Sequence, residues 1–445
     1  MSRIPSLAVL VLAAGQGTRM RSRLAKVLHP LCGRPLLHHT LAAGEALGAE
    51  RLVVVVGRDS DNVRQRFAGR ARFAQQDQQL GTGHAVLQSE AELAGFSGDV
   101  LVLNGDLPLV RAETLERMLA FKQETAADLV ILSGEIDVPG ILVRAPDGAL
   151  ARVVEATDAT PAELAIAERN TGVYLIERDL LWKCLAQVDA ENAQGEIYLT
   201  SIVEILLAEG RRVEVLRLQD DSEGIGVNTR VDLAEAAALM RARILNRLML
   251  AGVTVVDPAT TYIDVDVEVG QDTVIEPNCV IQGQTSIGEG CHVKANCVIE
   301  DSSLANDVEI GPSAHLRPGT SLGEGVRIGN YVEVKNSQLA AGVKADHLSY
   351  IGDADVGEGA SFGCGAITVN YDWRGKHRTR VAPGAVVGCN VNLIAPVSVG
   401  RNAAIAAGST ITKDVPDDSL ALGRSRDQKH VAGWSRRKRP EDKLK

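Results

Sequence analysis

An aliphatic residue returns at almost every sixth position in the second half of this 445-residue chain. The series runs from Val269 to Ile411, slips by one residue at Leu304 and is interrupted between Thr368 and Val381. An α-helix repeats about every 3.6 residues and a strand roughly every two, so neither predicts this period. A hexapeptide parallel β-helix does, because each face of its triangular coil takes one hexad and points one aliphatic side chain inward. The period therefore predicts a flat-sided solenoid.

Composition narrows the class of protein. Aromatic residues make up only 3% of the chain, which suits a stack of aliphatic coils, and the net charge of -10 argues against general nucleic-acid binding. The seven cysteines form no C-x-x-C pair, which favours a reducing compartment over a disulfide framework or a zinc site. We find no secretion signal and no apolar run near the roughly 20 residues of a membrane span, so we expect a cytoplasmic protein. The basic stretch Arg436–Arg439 is typical of a solvated tail, or of a contact with a phosphorylated ligand or a neighbouring subunit.

The first half alternates buried strands with helices. Short apolar runs at 7–13, 52–56, 100–103 and 129–132 predict parallel strands, and 35–47 and 113–123 predict helices between them. This order predicts a Rossmann-like α/β domain with a largely parallel sheet. A further helical stretch covers 198–207, and a connecting helix covers 230–250. We therefore expect a first domain at 1–228, a helical linker at 229–250 and the solenoid with its tail at 251–445.

A glycine-containing loop follows the first strand directly. It reads LAAGQGTRM and comprises Leu12, Ala13, Ala14, Gly15, Gln16, Gly17, Thr18, Arg19 and Met20. Its glycines allow backbone N–H groups to approach a phosphate chain. The third glycine of a dinucleotide fingerprint and the Gly-Lys-Ser/Thr of a P-loop are both absent, which argues against those two sites. Arg19 and Lys26 can each place a cation on a polyphosphate.

Asp106 follows the predicted strand at 100–103 within the sequence Asn-Gly-Asp. A carboxylate at the carboxyl end of a parallel strand faces the ligand crevice. Asp106 can hold Mg²⁺ there, with Asn228 supplying a second oxygen, because Mg²⁺ takes one or two protein oxygens together with phosphate and water. The alternative is a turn-forming aspartate.

Three features of the solenoid suggest chemistry. Arg317 and Lys335 are three hexads apart, so they can lie on neighbouring coils and hold a sugar phosphate, unless they are simply solvated cations. His347, within the sequence DHLSYIGD, is a candidate general base because an imidazole can accept a proton near neutral pH. The break at 369–380 predicts a loop that leaves the stack, and such a loop either carries binding groups or is a tolerated insertion.

These motifs resemble the bacterial bifunctional N-acetylglucosamine-1-phosphate uridylyltransferase / glucosamine-1-phosphate acetyltransferase family. The resemblance covers nearly the whole chain and rests on LAAGQGTRM, KVLH, QLGTGHA, NGDLPL, ERNTGVYL, AQGEIYLT, GVNTR and DHLSYIGD. It implies a nucleotidyltransferase domain followed by a left-handed parallel β-helix that packs as a homotrimer. It also implies acetylation of glucosamine-1-phosphate from acetyl-CoA, then uridylyl transfer from UTP with release of pyrophosphate. The product, UDP-N-acetylglucosamine, feeds peptidoglycan and lipopolysaccharide synthesis.

The resemblance assigns roles to residues of the first half. Gln76, Gly81 and Thr82 would read uracil, Glu155 and Asn170 would hold the sugar, and Asp106 with Asn228 would hold Mg²⁺. This chain has Val138-Pro139-Gly140 where the family has a Thr-Gly-Tyr-Gly-Arg segment. A different sugar phosphate, or a reduced activity of this half, therefore remains an alternative.

The resemblance also assigns the second site. His347 would take the amine proton, while Arg317, Lys335, Tyr350 and Ser361 would bind the sugar phosphate. The acetyl-CoA contacts would be Cys364, Asn370, Tyr371, Cys389, Ala407 and Arg424. Ser361, Cys364 and Cys389 replace an Asn, an Ala and a Ser of the family, and the shorter Ser361 predicts weaker sugar binding. A third interpretation is a regulatory protein without turnover. The presence of the candidate catalytic residues argues against it, namely Arg19, Lys26, Asp106, Asn228 and His347. A zinc lyase would need three histidines at one metal, and the wide spacing of His315, His347 and His377 disfavours it.

Overall fold

The computed structural model describes residues 6–58, 60–190, 192, 194–425 and 430. The basic stretch 436–439 lies outside these residues. Contacts divide the chain into two compact units, Met1–Arg243 and Ile244–Lys445. The predicted boundaries at 228 and 250 lie at the two ends of one helix, whereas this division falls inside it, and the three-part division stays a prediction.

The first unit is built on one mixed sheet. Its strands, with a small separate pair formed by β2 and β3, are β1 (Leu7–Ala13), β2 (Pro30–Leu31), β3 (Arg34–Pro35), β4 (Arg51–Val56), β5 (Arg72–Gln75), β6 (Asp99–Asn104), β7 (Leu129–Gly134), β8 (Gly140–Arg144), β9 (Leu150–Glu155), β10 (Arg169–Glu177) and β11 (Val213–Arg217). The order across the sheet is β11-β7-β10-β6-β1-β4-β5, with the β8–β9 hairpin attached to β10. β10 runs antiparallel to both β6 and β7, while the other neighbours along this path are parallel. The expectation of a largely parallel sheet is confirmed apart from β10 and the hairpin.

Helices cover both faces of this sheet. They are α1 (Leu36–Ala46), α2 (Asp61–Arg66), α3 (Thr82–Leu87), α4 (Ala112–Thr125), α5 (Pro161–Leu164), α6 (Arg178–Leu185) and α7 (Ile202–Ala208), with short 3₁₀ turns at Thr18–Met20, Lys26–Leu28, Ala91–Leu93, Leu199–Ser201 and Asp221–Gly224. The long helix α8 (Arg230–Leu250) follows, and its Ala236 packs in a separate small cluster with Leu31, Leu36 and Leu109. Alternate residues of β1 enter opposite cores: Leu10 packs in one hydrophobic cluster, and Val9 and Val11 pack in the other. Because both faces are buried, the central strands read as continuous apolar runs.

The second unit is a parallel β-helix with three sheets, one on each face. The strands of face 1 are Thr254–Val255, Val274–Ile275, His292–Val293, Glu309–Ile310, Arg327–Asn330, Lys344–His347, Ser361–Phe362, Val386–Val387, Ala404–Ile405 and Leu420–Ala421. Those of face 2 are Tyr262–Ile263, Val280–Gln282, Val298–Glu300, His315–Leu316, Glu333–Lys335, Tyr350–Gly352, Ile367–Val369, Asn392–Ile394 and Thr410–Ile411. Those of face 3 are Glu268–Val269, Ser286–Ile287, Ser303–Leu304, Ser321–Leu322, Gln338–Leu339, Ala354–Val356, Thr379–Val381 and Val397–Val399.

The aliphatic hexad residues form the interior of this β-helix, as predicted. Ile281, Ile299 and Leu316 are register partners on three successive coils, and each is fully buried. The one-residue slip at Leu304 is absorbed in a turn, because Leu304 still pairs with Ile287. The loop at 370–378 leaves the stack between two strands, which confirms the predicted insertion. No helix among the described residues is long and apolar enough to cross a membrane.

We predict that Ile299→Ala destabilises the second unit by about 2–5 kcal/mol, because it leaves a cavity between two coils that cannot collapse. Differential scanning calorimetry of the full chain measures this as a lower midpoint for the corresponding transition. Ser303→Ala, at an exposed position a few residues away, is the matched control and should change the midpoint little. Equal midpoints for the two variants would contradict the assigned interior.

Candidate active sites

The first candidate site is a cleft at the carboxyl ends of β1 and β6. Its volume is about 320 Å³. It is lined by most of the predicted nucleotide-site residues, namely Leu12, Ala13, Ala14, Gly15, Lys26, Gln76, Gly81, Thr82 and Asp106. Asn104 and Glu196 also line it, and sequence reasoning did not assign them to a site. Parallel strands end at this edge of the sheet, which is why residues distant in sequence meet here.

A polar network joins the four residues expected to act on phosphate and metal. The Lys26 ammonium donates to Asp106 Oδ2 at 2.5 Å and to Asn228 Oδ1 at 3.1 Å. Arg19 Nη2 donates to the same Asn228 oxygen at 3.0 Å. One cationic nitrogen therefore lies within reach of both a carboxylate and an amide oxygen, at the edge of the cleft.

The predicted uracil-reading residues fix one another. Gln76 is 4% exposed. Its Nε2 donates to the Gly81 carbonyl at 3.1 Å and lies 3.0 Å from His84 Nδ1. A carbonyl can only accept, so the Gly81 contact fixes which end of the Gln76 amide is the donor and leaves its Oε1 atom as an acceptor. The Thr82 hydroxyl accepts from the backbone N–H of Leu199 at 3.1 Å, which ties the start of α3 to the segment before α7.

The predicted sugar-binding residues converge at the β8–β9 hairpin. Glu155 ends β9 and pairs with Gly140 at the start of β8. Asn170 Nδ2 donates to the buried hydroxyl of Tyr174 at 2.7 Å, and a Cβ atom on Gly140 would lie 3.0 Å from the Asn170 Cβ. The sequence did not place Gly140 beside Glu155 and Asn170, because its flanking residues differ from the family pattern.

Burial raises the pKa of Glu155, and the neighbouring carboxylates of Asp158 and Glu196 raise it further. Burial also raises the pKa of Tyr174, so its hydroxyl stays protonated and can accept the Asn170 hydrogen bond. The hairpin therefore presents a partly desolvated carboxyl group beside an amide of fixed orientation, which suits recognition of sugar hydroxyl groups.

The second unit carries a cationic cluster on the outer surface of face 2. Arg317 and Lys335 follow register partners on neighbouring coils, as expected. Arg317 Nη1 donates to Glu333 Oε1 at 2.8 Å. The ammonium of Lys376, from the loop, lowers the pKa of Lys335 most, and Arg317 lowers it further. Cations held this close favour an anionic ligand.

Tyr350 and Asn370 lie beside this cationic cluster. Asn370 Nδ2 donates to Tyr350 Oη at 3.4 Å and to Asp353 Oδ2 at 2.5 Å. Tyr371 is exposed on the loop, with its ring 6.1 Å from that of Trp373. The structure thus brings Arg317, Lys335 and Tyr350 together with Asn370, at the edge of face 2 where its strands end.

His347 lies at the other edge of face 2, at the end of its strand on face 1. The register of face 1 places Asn330, His347, Cys364, Cys389 and Ala407 at equivalent positions of successive coils. The Cys364 carbonyl accepts from Asn390 N at 2.8 Å, and the Cys389 carbonyl accepts from Gly408 N at 2.8 Å, which continues the ladder through this column.

Two further predicted residues belong to this side of the β-helix. Arg424 lies beside Gly408 at the last described coil, and Ser361 begins the face 1 strand that leads to Cys364. We call His347, Cys364, Cys389, Ala407 and Arg424 the histidine column. One chain therefore separates the histidine column from the cationic cluster by the width of face 2.

Residues 9–201 match the MobA-like NTP transferase domain, and residues 266–301 and 301–336 match the bacterial transferase hexapeptide family of six repeats. Along nearly its whole length the chain is 47% identical to the bifunctional protein GlmU of Trichlorobacter lovleyi, over 97% of this chain and 98% of the relative. It is 47% identical to the protein of the same name from an Exiguobacterium strain, over 96% of this chain and 99% of that protein. A GlmU protein of Listeria monocytogenes is 44% identical over 96% of this chain and 97% of its own length.

The chain belongs to the GlmU family. The predicted family and the predicted fold class, a nucleotidyltransferase domain followed by a left-handed parallel β-helix, are confirmed. As a GlmU protein it is an enzyme with uridylyltransferase and acetyltransferase activity in UDP-N-acetylglucosamine synthesis, as predicted. Its co-substrates are therefore UTP and acetyl-CoA.

We predict that Gly140→Val raises the KM for N-acetylglucosamine-1-phosphate about tenfold or more in this GlmU chain, because the new side chain displaces Asn170. Steady-state uridylyl transfer at saturating UTP measures the effect. Ala149→Val, at an exposed position of the same hairpin, is the control and should leave the KM unchanged. An unchanged KM for Gly140→Val would exclude the hairpin from sugar binding.

Proposed function

We propose that Asp106 and Asn228 hold Mg²⁺ for the uridylyl transfer. The support is the Lys26 ammonium, which donates to both oxygens and so marks a point where one cation meets a carboxylate and an amide oxygen. This donor set of hard oxygens fits Mg²⁺, which completes its shell with phosphate and water. When bound there, the metal would neutralise charge on the triphosphate.

The chain's own residues act by alignment and charge neutralisation. The glycine loop of Gly15 lies against the phosphates, and Arg19 and Lys26 compensate the negative charge that develops on them. The sugar-phosphate oxygen attacks the α-phosphorus of UTP, and the bond to pyrophosphate breaks. Glu155, Asn170 and Gly140 orient the sugar so that its phosphate is in line. No covalent protein intermediate is required.

Gln76 supplies the base selectivity in this proposal. Because its amide nitrogen donates to the Gly81 carbonyl, its Oε1 atom can accept from the N3–H group of uracil. Cytosine carries an acceptor at that position, so it would leave two acceptors facing each other, a cost of about 1–3 kcal/mol. Thr82 and the Gly81 backbone complete the contact.

We propose that His347 is the general base of acetyl transfer. The glucosamine nitrogen attacks as the free amine, after its ammonium form has released one proton to solvent, and His347 takes a second proton from this nitrogen as the C–N bond to the acetyl carbonyl forms. The C–S bond of acetyl-CoA breaks, and the imidazolium returns the proton to the departing thiolate. Cys364, Cys389, Ala407 and Arg424 would line the acetyl-CoA groove, with Asn370 and Tyr371 as further contacts. Arg317, Lys335, Tyr350 and Ser361 would bind the sugar phosphate.

The hexapeptide repeats indicate an oligomer, and we propose a homotrimer. The support is the separation of the histidine column from the cationic cluster by face 2, which leaves the site divided between two edges of one chain. A heterologous, closed three-fold arrangement brings one edge of each chain against the other edge of the next. Each acetyltransferase site would then take its base from one subunit and its phosphate-binding cations from another.

We also propose a cytoplasmic location. The substrates of both reactions are small molecules of the cell interior, and no disulfide joins cysteines within the described part of the chain.

The two sites should fail independently. Asp106→Asn should lower uridylyl transfer by about 100-fold or more because a carboxylate oxygen is lost from the metal site, and acetyl transfer should persist. His347→Ala should do the reverse. Separate assays of the two half-reactions on each purified variant measure this.

A parallel loss of both activities in either variant would contradict the two-site account. If the wild-type protein showed acetyl transfer but no uridylyl transfer, the altered sequence around Gly140 would be the first suspected cause. Activity of both halves with a different sugar phosphate in preference to the expected one would overturn the substrate assignment.

Mixed trimers test the shared site. His347→Ala and Lys335→Ala should each lose most acetyl transfer alone. Co-expression with two different tags, followed by tandem purification, should restore activity to about a third of the wild-type level, because each closed trimer that contains both variants has one of its three interfaces with an intact base and an intact cation. Mixed assemblies that stayed as inactive as the parents would show that each site lies within one chain.

A further inference from the structure

Asn330 has no role in the sites described so far, yet its side chain contacts the proposed base. It ends the face 1 strand of the coil before His347 and is its direct register partner. The two side chains lie side by side, with Asn330 Oδ1 2.8 Å from His347 Nδ1. This is a short hydrogen bond between two polar groups at the surface of a rigid scaffold.

The backbone holds the pair in register. Gly329 precedes Asn330, and a Cβ atom there would collide with the carbonyl oxygen of Asp346. Only glycine allows these two coils to approach so closely. On the other side, Leu348 N donates to the Asn330 carbonyl at 3.0 Å. The Asn330 and His347 side chains therefore project from adjacent, fixed positions, and little entropy is lost when they pair.

The contact determines which ring nitrogen acts as base. A carbonyl oxygen can only accept, so His347 Nδ1 must be the donor and carry the proton. The neutral imidazole then has its lone pair on Nε2. When Nε2 takes a proton from the amine, the ring becomes cationic, and the Asn330 oxygen dipole already points at Nδ1–H.

We propose that Asn330 is a positioning residue for acetyl transfer, which fixes His347 in the Nδ1–H tautomer and orients Nε2 toward the amine. The inference rests on the proposed role of His347 as base. In this arrangement His347 is the base and Asn330, on the coil before it, is its hydrogen-bond partner. That partner is a neutral amide and not a carboxylate.

His347 lines a small cavity together with four charged residues, Lys294, Glu309, Arg327 and Asp346. Asp346 precedes it and lies 3.9 Å from Arg327 of the coil before, and Arg327 also contacts Glu309 at 3.2 Å. Lys294 pairs with Glu309 farther along the same face. On the following coil the titratable neighbour is Cys364. None of these groups changes in the variants below, so a shift in the pH profile reports on residue 330.

The test compares Asn330→Ala with Asn330→Asp in the full-length chain. Asn330→Ala should lower the kcat of acetyl transfer about 10–100-fold, with KM values for both substrates within about threefold of wild type. Asn330→Asp keeps an acceptor and should recover most of that kcat. Its negative charge favours the imidazolium, raises the pKa of His347 and should move the acidic limb of the kcat/KM profile to higher pH.

Uridylyl transfer by the same preparations shows that each variant is folded, and Gln338→Ala, an exposed amide of the same coil on another face, is the matched control. An Asn330→Ala enzyme with wild-type kcat would overturn the proposal. So would an Asn330→Asp enzyme that is as impaired as Asn330→Ala and shows an unmoved pH profile. If His347→Ala retained acetyl transfer, the proposed function would fail first, whatever the result at Asn330.

Discussion

The in-register stacking of parallel strands is the constraint on which both sites depend. In the β-helix each residue is followed on the next coil by a residue at the same position of the same face, held by a ladder of backbone hydrogen bonds. A side chain at one corner is therefore always next to the corner side chains of the coils before and after. His347, Cys364 and Cys389 form a column for this reason, although an insertion separates the last two in sequence.

The same physical rule places the nucleotide site. β1 and β6 are parallel neighbours, so the loops that follow them emerge at the same edge of the sheet. Lys26 and Asp106 come from those loops, and Asn228 arrives from the segment before α8. Their contacts need no special conformation of the strands, because strand direction alone brings the loop residues to one place. In both halves the chemistry is carried by turns, and the positions of the turns are set by buried aliphatic residues.

Much of the fold could be predicted from the sequence because burial leaves periodic patterns. β1 and α8 have the predicted ends, and the hexad series marks the interior of nearly every coil. The direction of β10 could not be predicted, since a strand buried on both faces has the same apolar run whether it is parallel or antiparallel. The segment 198–207 looked like one helix but forms a 3₁₀ turn, Leu199–Ser201, followed by α7, because Thr82 ties its first turn to the nucleotide site.

The site could be predicted where a motif was intact and not where contacts depend on register. The place of Gly140 could not be predicted, because it follows from its pairing with Glu155 and from the lack of room for a side chain beside Asn170, which only the hairpin reveals. Asn330 precedes a positive-φ corner and has no motif of its own. The separation of His347 from Lys335 by face 2 likewise depends on which edge of a face each turn occupies. The six-residue period does not predict that edge.

The most direct measurement is a crystal structure of the wild-type protein with CoA and glucosamine-1-phosphate. The account predicts the CoA thiol beside His347 and Cys364 of one protomer and the sugar phosphate on Arg317 and Lys335 of a neighbouring protomer, with His347 Nε2 facing the amine. Both ligands bound within a single chain, or His347 directed away from the amine, would contradict it.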